Sequence, residues 1–363
     1  MRVAIDAAPL ITPVGGTRRY VVELTRALAQ QFPGDELHLL SDQMSWALPE
    51  RLRGFSNVVA EPPRWRGLRG SWWLSGLPLE LKRRRIDVFH GTDFAVPYVP
   101  LIPSVMMVHD LSPWKRDPLR PAGSGRVRER APYLMRIATR ILTPTEAIRE
   151  ELATTFGIPR RRITAIHLAA FDADDEPPAD PGQHDETAVP APYLLYVGAR
   201  QARKNIPVLM QSWHSVRRTN PAVSLVIVGP AGGGDERMQR EDGLYIFDPL
   251  PDTVVSRLLS GAAAFVYPSL YEGFGLPVLE AMKAGVPVIT SLDPAITEVA
   301  GGAALQVDVT SPEALSQAIL CVVASFELQL RLRDQGRQRA SAFSWRRTAL
   351  QTRDVYSEAI RRF

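Results

Sequence analysis

In the stretch YEGFGLPVLEAMKAGVP, Tyr271 to Pro287, Glu272 stands before Gly273-Phe274-Gly275 and Glu280 follows it. A helix that only packs requires neither the glycines nor the first carboxylate. The strand-like run AAFVYPS precedes the turn, and PVLEAMKA follows it, with a proline suited to a first helical turn and Gly285 where a helix ends. The turn therefore joins the carboxyl end of a strand to a helix N-terminus. Free backbone N–H groups and the helix dipole favour an anion there, and the glycines let it come close. Two carboxylates would repel that anion unless they serve its neutral parts, and carboxylates are strong acceptors for hydroxyl groups. A nucleotide-sugar, half phosphate and half polyhydroxylated, meets both demands, with Glu272 on the sugar and Glu280 on the ribose. Taken alone, Glu280 also reads as a solvated helix residue.

A second group of candidates lies in YVGARQARKN, where Arg200, Arg203 and Lys204 follow Gly198. Cations after a strand can clamp a diphosphate, lysine as a point charge and arginine as a fork. The alternative is a basic turn facing solvent. A third candidate is His109 in VHDL, again at the end of a strand-like run.

The elements that must position these residues are legible in outline. The chain has 363 residues, 45% of them hydrophobic and 23% charged, with a formal charge of +4. That length exceeds what one core usually supports, so two domains are expected. In the first half, VAIDAAPL, ELHLLS, IDVFHG, SVMMVHD and RILTPT alternate with helical segments. Thr17 to Phe32 carries Val21, Leu24, Leu28 and Phe32 at helical spacing. In the second half PYLLYVG, SLVIVG, GLYIF, AAFVYPS, VPVITS and AALQVD are nearly continuous apolar runs, as strands covered on both faces require. Between the halves, Phe171 to Pro192 holds seven acidic residues, five prolines and no lysine or arginine. It reads as a linker over 172–192, and its Asp172 and Asp174 as solvated charges rather than a metal-binding pair.

The pattern predicts an α/β protein of two Rossmann-like βαβ domains, 1–171 and 193–344, facing each other across a cleft, with a terminal helix over 345–363. Ligands of open α/β sheets bind at the carboxyl ends of the strands. Cys321 falls in the apolar pattern of a helix and is expected to pack. No run approaches the length of a membrane-spanning helix and the first residues do not form a signal peptide, so a cytoplasmic location is expected.

The stretches YVGARQARKN, YPSLYEGFGLPVLEAMKAGVPVITS and EVAGGAALQVD resemble, in order and spacing, the C-terminal domain of retaining GT-B glycosyltransferases of family four. Glu272 and Glu280 satisfy that group's Glu-x7-Glu signature. In the first half IDVFHGTDF, VHDLSPW and ILTPTEAIREELATTFGIPRRRITAIHLA agree with it, and the branch resembled contains bacterial mannosyltransferases of surface-polysaccharide assembly. The resemblance implies that Lys204 and either Arg203 or Arg200 neutralise a donor diphosphate. It implies that Gly273, Phe274, Gly275 and the adjoining Leu276 meet phosphate and sugar, that Glu298 lies nearby, and that His109 faces the reacting sugar. Gly15 and Gly16 correspond to a glycine loop near donor and acceptor. Two segments depart from the pattern: VGGTRRY replaces GIGRY, and LDPAIT stands where relatives carry a serine-rich stretch.

The implied reaction is metal-independent, cofactor-free transfer of a hexose with retention, mannose from GDP-mannose being the expected donor pair, to a glycan or lipid-linked glycan. Arg64 to Arg85, with seven basic residues and Trp65, Trp72 and Trp73, suggests contact with an anionic membrane surface, or else a basic helix with packed tryptophans. No recognition motif for nucleic acid accompanies the charge. A Rossmann oxidoreductase would need G-x-G-x-x-G, which GPAGGGDER fails to supply. A catalytically silent GT-B protein that binds a nucleotide-sugar is the remaining alternative.

Overall fold

The computed structural model describes residues 1–12, 15–42, 47–62, 72–171, 188–232 and 241–363. The chain forms two compact units: Met1–Pro113, Gly123–Leu168 and Ser344–Phe363 make the first, Trp114–Ala122 and Ala169–Phe343 the second. Most of the linker assigned from composition, with Asp172 and Asp174, lies outside the described residues, as do Arg64, Trp65, Arg66 and Arg69.

In the first unit, β1 (Arg2–Asp6), α1 (Gly16–Gln31), β2 (Glu36–Leu40), β3 (Val58–Val59), α2 (Leu77–Arg83), β4 (Val88–Gly91), β5 (Ser104–Met107), α3 (Gly125–Ile137), β6 (Arg140–Thr143), α4 (Glu146–Phe156) and β7 (Ile163–Ala165) follow in order. Its seven strands run parallel in the order β3-β2-β1-β4-β5-β6-β7. The burial of β4, β5 and β6 along their whole length explains why their sequences are continuous rather than alternating. α4 shows both ends of a helix written locally. The Thr145 hydroxyl accepts from the Ile148 N–H, and Gly157 closes it at φ 64°.

The second unit contains β8 (Tyr193–Val197), α5 (Ile206–Thr219), β9 (Ser224–Val228), β10 (Leu244–Phe247), α6 (Asp252–Gly261), β11 (Ala264–Tyr267), α7 (Leu276–Ala284), β12 (Val288–Thr290), α8 (Pro294–Ala300), β13 (Leu305–Gln306), α9 (Pro312–Ala324) and α10 (Phe326–Ala340). Its parallel order is β10-β9-β8-β11-β12-β13. The last helix, α11 (Trp345–Arg362), returns to the first unit. There Arg353 pairs with Asp35 at 2.7 Å and the Thr348 hydroxyl donates to the His167 carbonyl. His90 of β4 is held between the Tyr356 hydroxyl (2.5 Å) and the Tyr20 hydroxyl (3.1 Å). Burial, with His109 nearby, lowers the His90 pKa to about 3, so this link is neutral and does not titrate near pH 7.

One expectation changes, and in the basic segment the described residues follow the packed-tryptophan alternative. Cys321 is exposed, because α9 buries Leu315, Ala318, Ile319 and Val322 and position 321 falls on the opposite side of the turn. In the basic segment, Trp72 is buried and Trp73 packs edge-on against Phe89. Arg83 and Arg84 both donate to the buried Glu80 carboxylate. The described part of that segment therefore uses its tryptophans for packing. Among the described residues no single helix is long and apolar enough to cross a membrane.

Candidate active site

The second sheet changes its direction of winding between β8 and β11. From β8 the chain moves outward through β9 and β10, then returns to the other side of β8 with β11. The carboxyl ends of two strands at such a switch diverge and leave room for a ligand. The loop after β8 carries Arg200, Arg203 and Lys204, and the loop after β11 carries Glu272.

These residues meet. Lys204 and Glu272 are each 6% exposed, and the Lys204 ammonium donates to Glu272 Oε1 and to the Tyr267 hydroxyl, the latter at 2.6 Å. Arg203 Nη1 donates to Glu272 Oε2 at 3.2 Å and to the Tyr271 carbonyl at 3.1 Å. The Arg203 carbonyl in turn accepts from the Leu270 N–H at 2.8 Å, which stitches the two loops together. Tyr267 stacks on Tyr196 of β8 with centroids 5.8 Å apart, forming a floor below the lysine. Burial alone would raise the Glu272 pKa; Lys204 and Arg203 outweigh it and hold the carboxyl at about 2. Lys204 and Arg203 together offset the Glu272 charge at its two oxygens. Glu272 can therefore sit beside an anion site without repelling the anion, which answers the objection raised by its sequence position.

The Gly273–Gly275 turn leads into α7. Gly275, at φ 89°, occupies the left-handed region that a side chain would disfavour, and Pro277 stands in the first turn. Phe274 is buried against Phe343, edge to face, at 6.0 Å between centroids. Gly285, at φ 73°, ends the helix as its sequence position predicts. Glu280 is half-buried one turn into α7, and Glu298 is half-buried near the end of α8. Arg200 turns elsewhere: its Nη1 donates to the Gly229 carbonyl at 2.9 Å. Arg203 is thus the arginine partner of Glu272.

The first unit has its own switch, between β1 and β4. The Thr92 hydroxyl, just past β4, donates to the Asp6 carbonyl at 3.0 Å across it. His109, two residues past β5, is half-buried, and its Nε2 lies 2.9 Å from the Thr92 carbonyl. A carbonyl only accepts, so Nε2 carries a proton, an arrangement that in the Nε2–H tautomer leaves Nδ1 as the ring's acceptor. The ring also meets the face of Tyr20 edge-on at 5.0 Å. Gly15, at φ 141°, and Gly16 open α1 and are exposed; Val14, part of the departing loop, lies outside the described residues.

Comparison with known proteins gives the family. Residues 14–170 match the model of Glycosyltransferase Family 4, and residues 183–339 that of Glycosyl transferases group 1. The chain belongs to the family 4 glycosyltransferases of GT-B fold. This glycosyltransferase is 29% identical to O-antigen chain mannosyltransferase B of Escherichia coli, over 98% of the chain and 99% of that relative. It is 29% identical to a glycogen synthase of Mycobacterium tuberculosis over 94% of the chain and 82% of the relative. Among solved structures, Anabaena HepE in complex with UDP-glucose matches with a TM-score of 0.75 at 14% identity, covering 99% of this chain and all of that one.

Sequence reasoning missed three groups around the glycosyltransferase's cluster. Tyr267 is the last residue of β11, and its alternation with Phe265 on one sheet face was the available signal. Lys115 lies in the Trp114–Ala122 segment of the second unit, its ammonium 4.1 Å above the Tyr271 ring. Nothing local in the sequence indicates this. Asp293, in the departing LDPAIT segment, caps α8 by accepting from Ala295 and Ile296 N–H and also accepts from the Glu272 N–H at 3.4 Å. An aspartate followed by proline is a legible helix start, but its bond to Glu272 is tertiary.

Proposed function

We propose that this glycosyltransferase moves a hexose from a nucleotide-diphosphate sugar to a glycan or lipid-linked glycan, with retention at the anomeric carbon and without a metal ion. The observation that carries the reading is the Lys204–Glu272–Arg203 cluster, two cations on one carboxylate, beside the glycine turn that opens α7. In this reading Lys204, Arg203 and the turn's amides stabilise the negative charge that develops on the leaving diphosphate, in place of a metal. Such preorganised charge is usually the largest catalytic contribution. Glu272, kept ionised, accepts from hydroxyls of the donor sugar, and Glu280 from those of the ribose. His109 offers Nδ1 to the reacting sugar.

The bond from the anomeric carbon to the diphosphate oxygen breaks as the acceptor hydroxyl bonds to the same face of that carbon. The acceptor's proton passes to the departing phosphate oxygen, so no protein base is needed. Mannose from GDP-mannose is the favoured donor, because the Escherichia coli relative that spans the chain is named as a mannosyltransferase. The structural neighbour with UDP-glucose bound keeps the uridine nucleotides in the test.

The test is a metal-free thermal-shift panel of UDP, GDP and ADP and their sugar forms, followed by transfer of labelled sugar and NMR of the product's anomeric configuration. A ligand at about 100 times its dissociation constant stabilises by about 2.7 kcal/mol, which is readily seen. A shift by one nucleotide family, with a product of retained configuration, is expected. Binding without product would favour the silent protein, and no shift at all would remove the nucleotide-sugar reading.

A further inference from the structure

Asp293 and Arg339 hold the two ends of α8, a helix of seven residues. At its start Asp293 caps the first N–H groups and takes the Glu272 N–H. At its end Arg339 of α10 donates from Nη2 to the Glu298 carbonyl at 2.6 Å and from Nε to the Val299 carbonyl at 2.8 Å. A cation on the terminal carbonyls meets both their hydrogen-bonding need and the negative end of the helix dipole. Gly301 follows at φ 56°, and a Cβ there would meet Arg339 Nε at 2.6 Å, so the guanidinium occupies the space a side chain would fill.

The same guanidinium lies 4.8 Å from the centroid of the Phe343 ring, and Phe343 meets Phe274 of the glycine turn. The contacts close a ring: Arg339 to α8, α8 through Asp293 to Glu272, Glu272 along the chain to Phe274, Phe274 to Phe343, and back to Arg339. Two routes from one side chain thus reach the turn, one through hydrogen bonds and one through aromatic packing. α10 is seated for this work, since a Cβ at Gly336 would meet Met282 Cα of α7 at 3.4 Å, which sets the close approach of the two helices.

We propose that Arg339 is a positioning residue that braces the Glu272–Gly275 turn and Glu298 for the donor. This role rests on the nucleotide-sugar reading above. Arg339 touches no substrate in it; the side chain acts through α8 and Phe343.

The test uses the full chain with GDP-mannose, and UDP-glucose in a parallel arm, measuring donor KM, kcat and Tm for wild type, Arg339→Met, Arg339→Lys and Phe343→Leu. Arg339→Met is expected to raise the donor KM by about tenfold or more, on the scale that small misplacements produce, with a smaller change in kcat. Arg339→Lys, which keeps a cation at the helix end, should recover part of that loss. Phe343→Leu cuts only the aromatic route and guards against a failure of Arg339→Met to fold; a several-fold rise in KM is expected. Lower Tm with unchanged donor KM in Arg339→Met and Phe343→Leu would overturn the role and leave a purely structural contact. A wild-type protein that binds neither donor nor any other nucleotide-sugar would instead overturn the reading on which the role rests, and the role with it.

Discussion

Glu272 and His109 are held in opposite ways. Glu272 is buried and its two oxygens are taken by cations from another loop, with its own N–H directed to Asp293. His109 is half-buried, and one ring nitrogen is tied to a backbone carbonyl while the ring rests on Tyr20. The first arrangement fixes charge inside the fold before any ligand arrives. The second fixes orientation and tautomer at little electrostatic cost. Damage to the first should therefore appear in stability and activity together, and damage to the second chiefly in activity.

The largest effect is expected from Lys204→Ala. It removes a donor-site cation and leaves the buried Glu272 carboxylate to Arg203 alone, so turnover should fall about 10²–10³-fold. Stability should drop by up to about 3 kcal/mol, below the range for a buried charge left uncompensated, because Arg203 still holds Glu272 Oε2. Steady-state rates with denaturant unfolding check both. Turnover within threefold of wild type would take Lys204 out of the mechanism.

Asp293 tests the same cluster through pH. Burial, with Glu272 adding repulsion, raises its pKa from 3.8 to about 6, although its hydrogen bonds to backbone N–H groups oppose the rise. A carboxyl with a raised folded pKa binds its proton more tightly in the native state. Its favourable contribution is present in full below pH 3.8 and is lost as pH climbs to 6, a change of about 3 kcal/mol. Glu272 has the opposite sign in a lower window: its folded pKa of about 2 gives stability above pH 4.5 that is lost as pH falls toward 2. Asp293→Asn keeps a capping side chain and should flatten the slope between pH 4 and 6. Equal slopes in variant and wild type, by unfolding across that range, would contradict the raised pKa.

For His109 the comparison sharpens to one atom. His109→Ala should lower turnover about a hundredfold, in the range of lost acid–base or hydrogen-bonding groups at a reacting centre. Tm should fall only slightly, because the half-buried ring gives up one hydrogen bond to the Thr92 carbonyl and its contact with Tyr20. An asparagine places an oxygen near the Nδ1 position and a glutamine reaches toward Nε2. His109→Asn should retain more turnover than His109→Gln; the reverse order would mean that Nε2 leaves Thr92 to serve the substrate.

The sequence displayed what glycine and proline chemistry decides locally, and little of what strand order decides. The start of α7 was legible because Gly275, Pro277 and Gly285 are each required by backbone conformation within a few residues. The β-runs were legible because strands buried on both faces read as continuous apolar stretches. The Lys204–Glu272 pair was only half legible. The two lie 68 residues apart and meet because β11 returns beside β8, an adjacency no local pattern encodes. Cys321 failed for the converse reason: its neighbours set the helical face, and a two-residue offset placed it on the other side.

The two arginines of ARQARK mark the limit of that legibility and give the smallest effect. Both follow β8, both are half-buried, and composition treats them alike. The backbone separates them. Arg200 pairs with Ala231 in a bridge and directs its guanidinium to the Gly229 carbonyl, across a contact so close that a Cβ at Gly229 would clash with the Gly198 backbone. Arg203 belongs to the short turn that also delivers Lys204, and its guanidinium reaches Glu272 and the Tyr271 carbonyl. Arg203→Ala should therefore raise the donor KM and lower turnover by about tenfold in kcat/KM, the equivalent of one charged hydrogen bond. Arg200→Ala should change kcat/KM by a few-fold at most and act mainly on stability, through the carbonyl it leaves without its donor. The ordering carries the argument. If Arg200→Ala proved the more damaging for the donor, its guanidinium would have to swing from Gly229 to the ligand, and the loop after β8 would be rebuilt by substrate rather than set beforehand by its own hydrogen bonds.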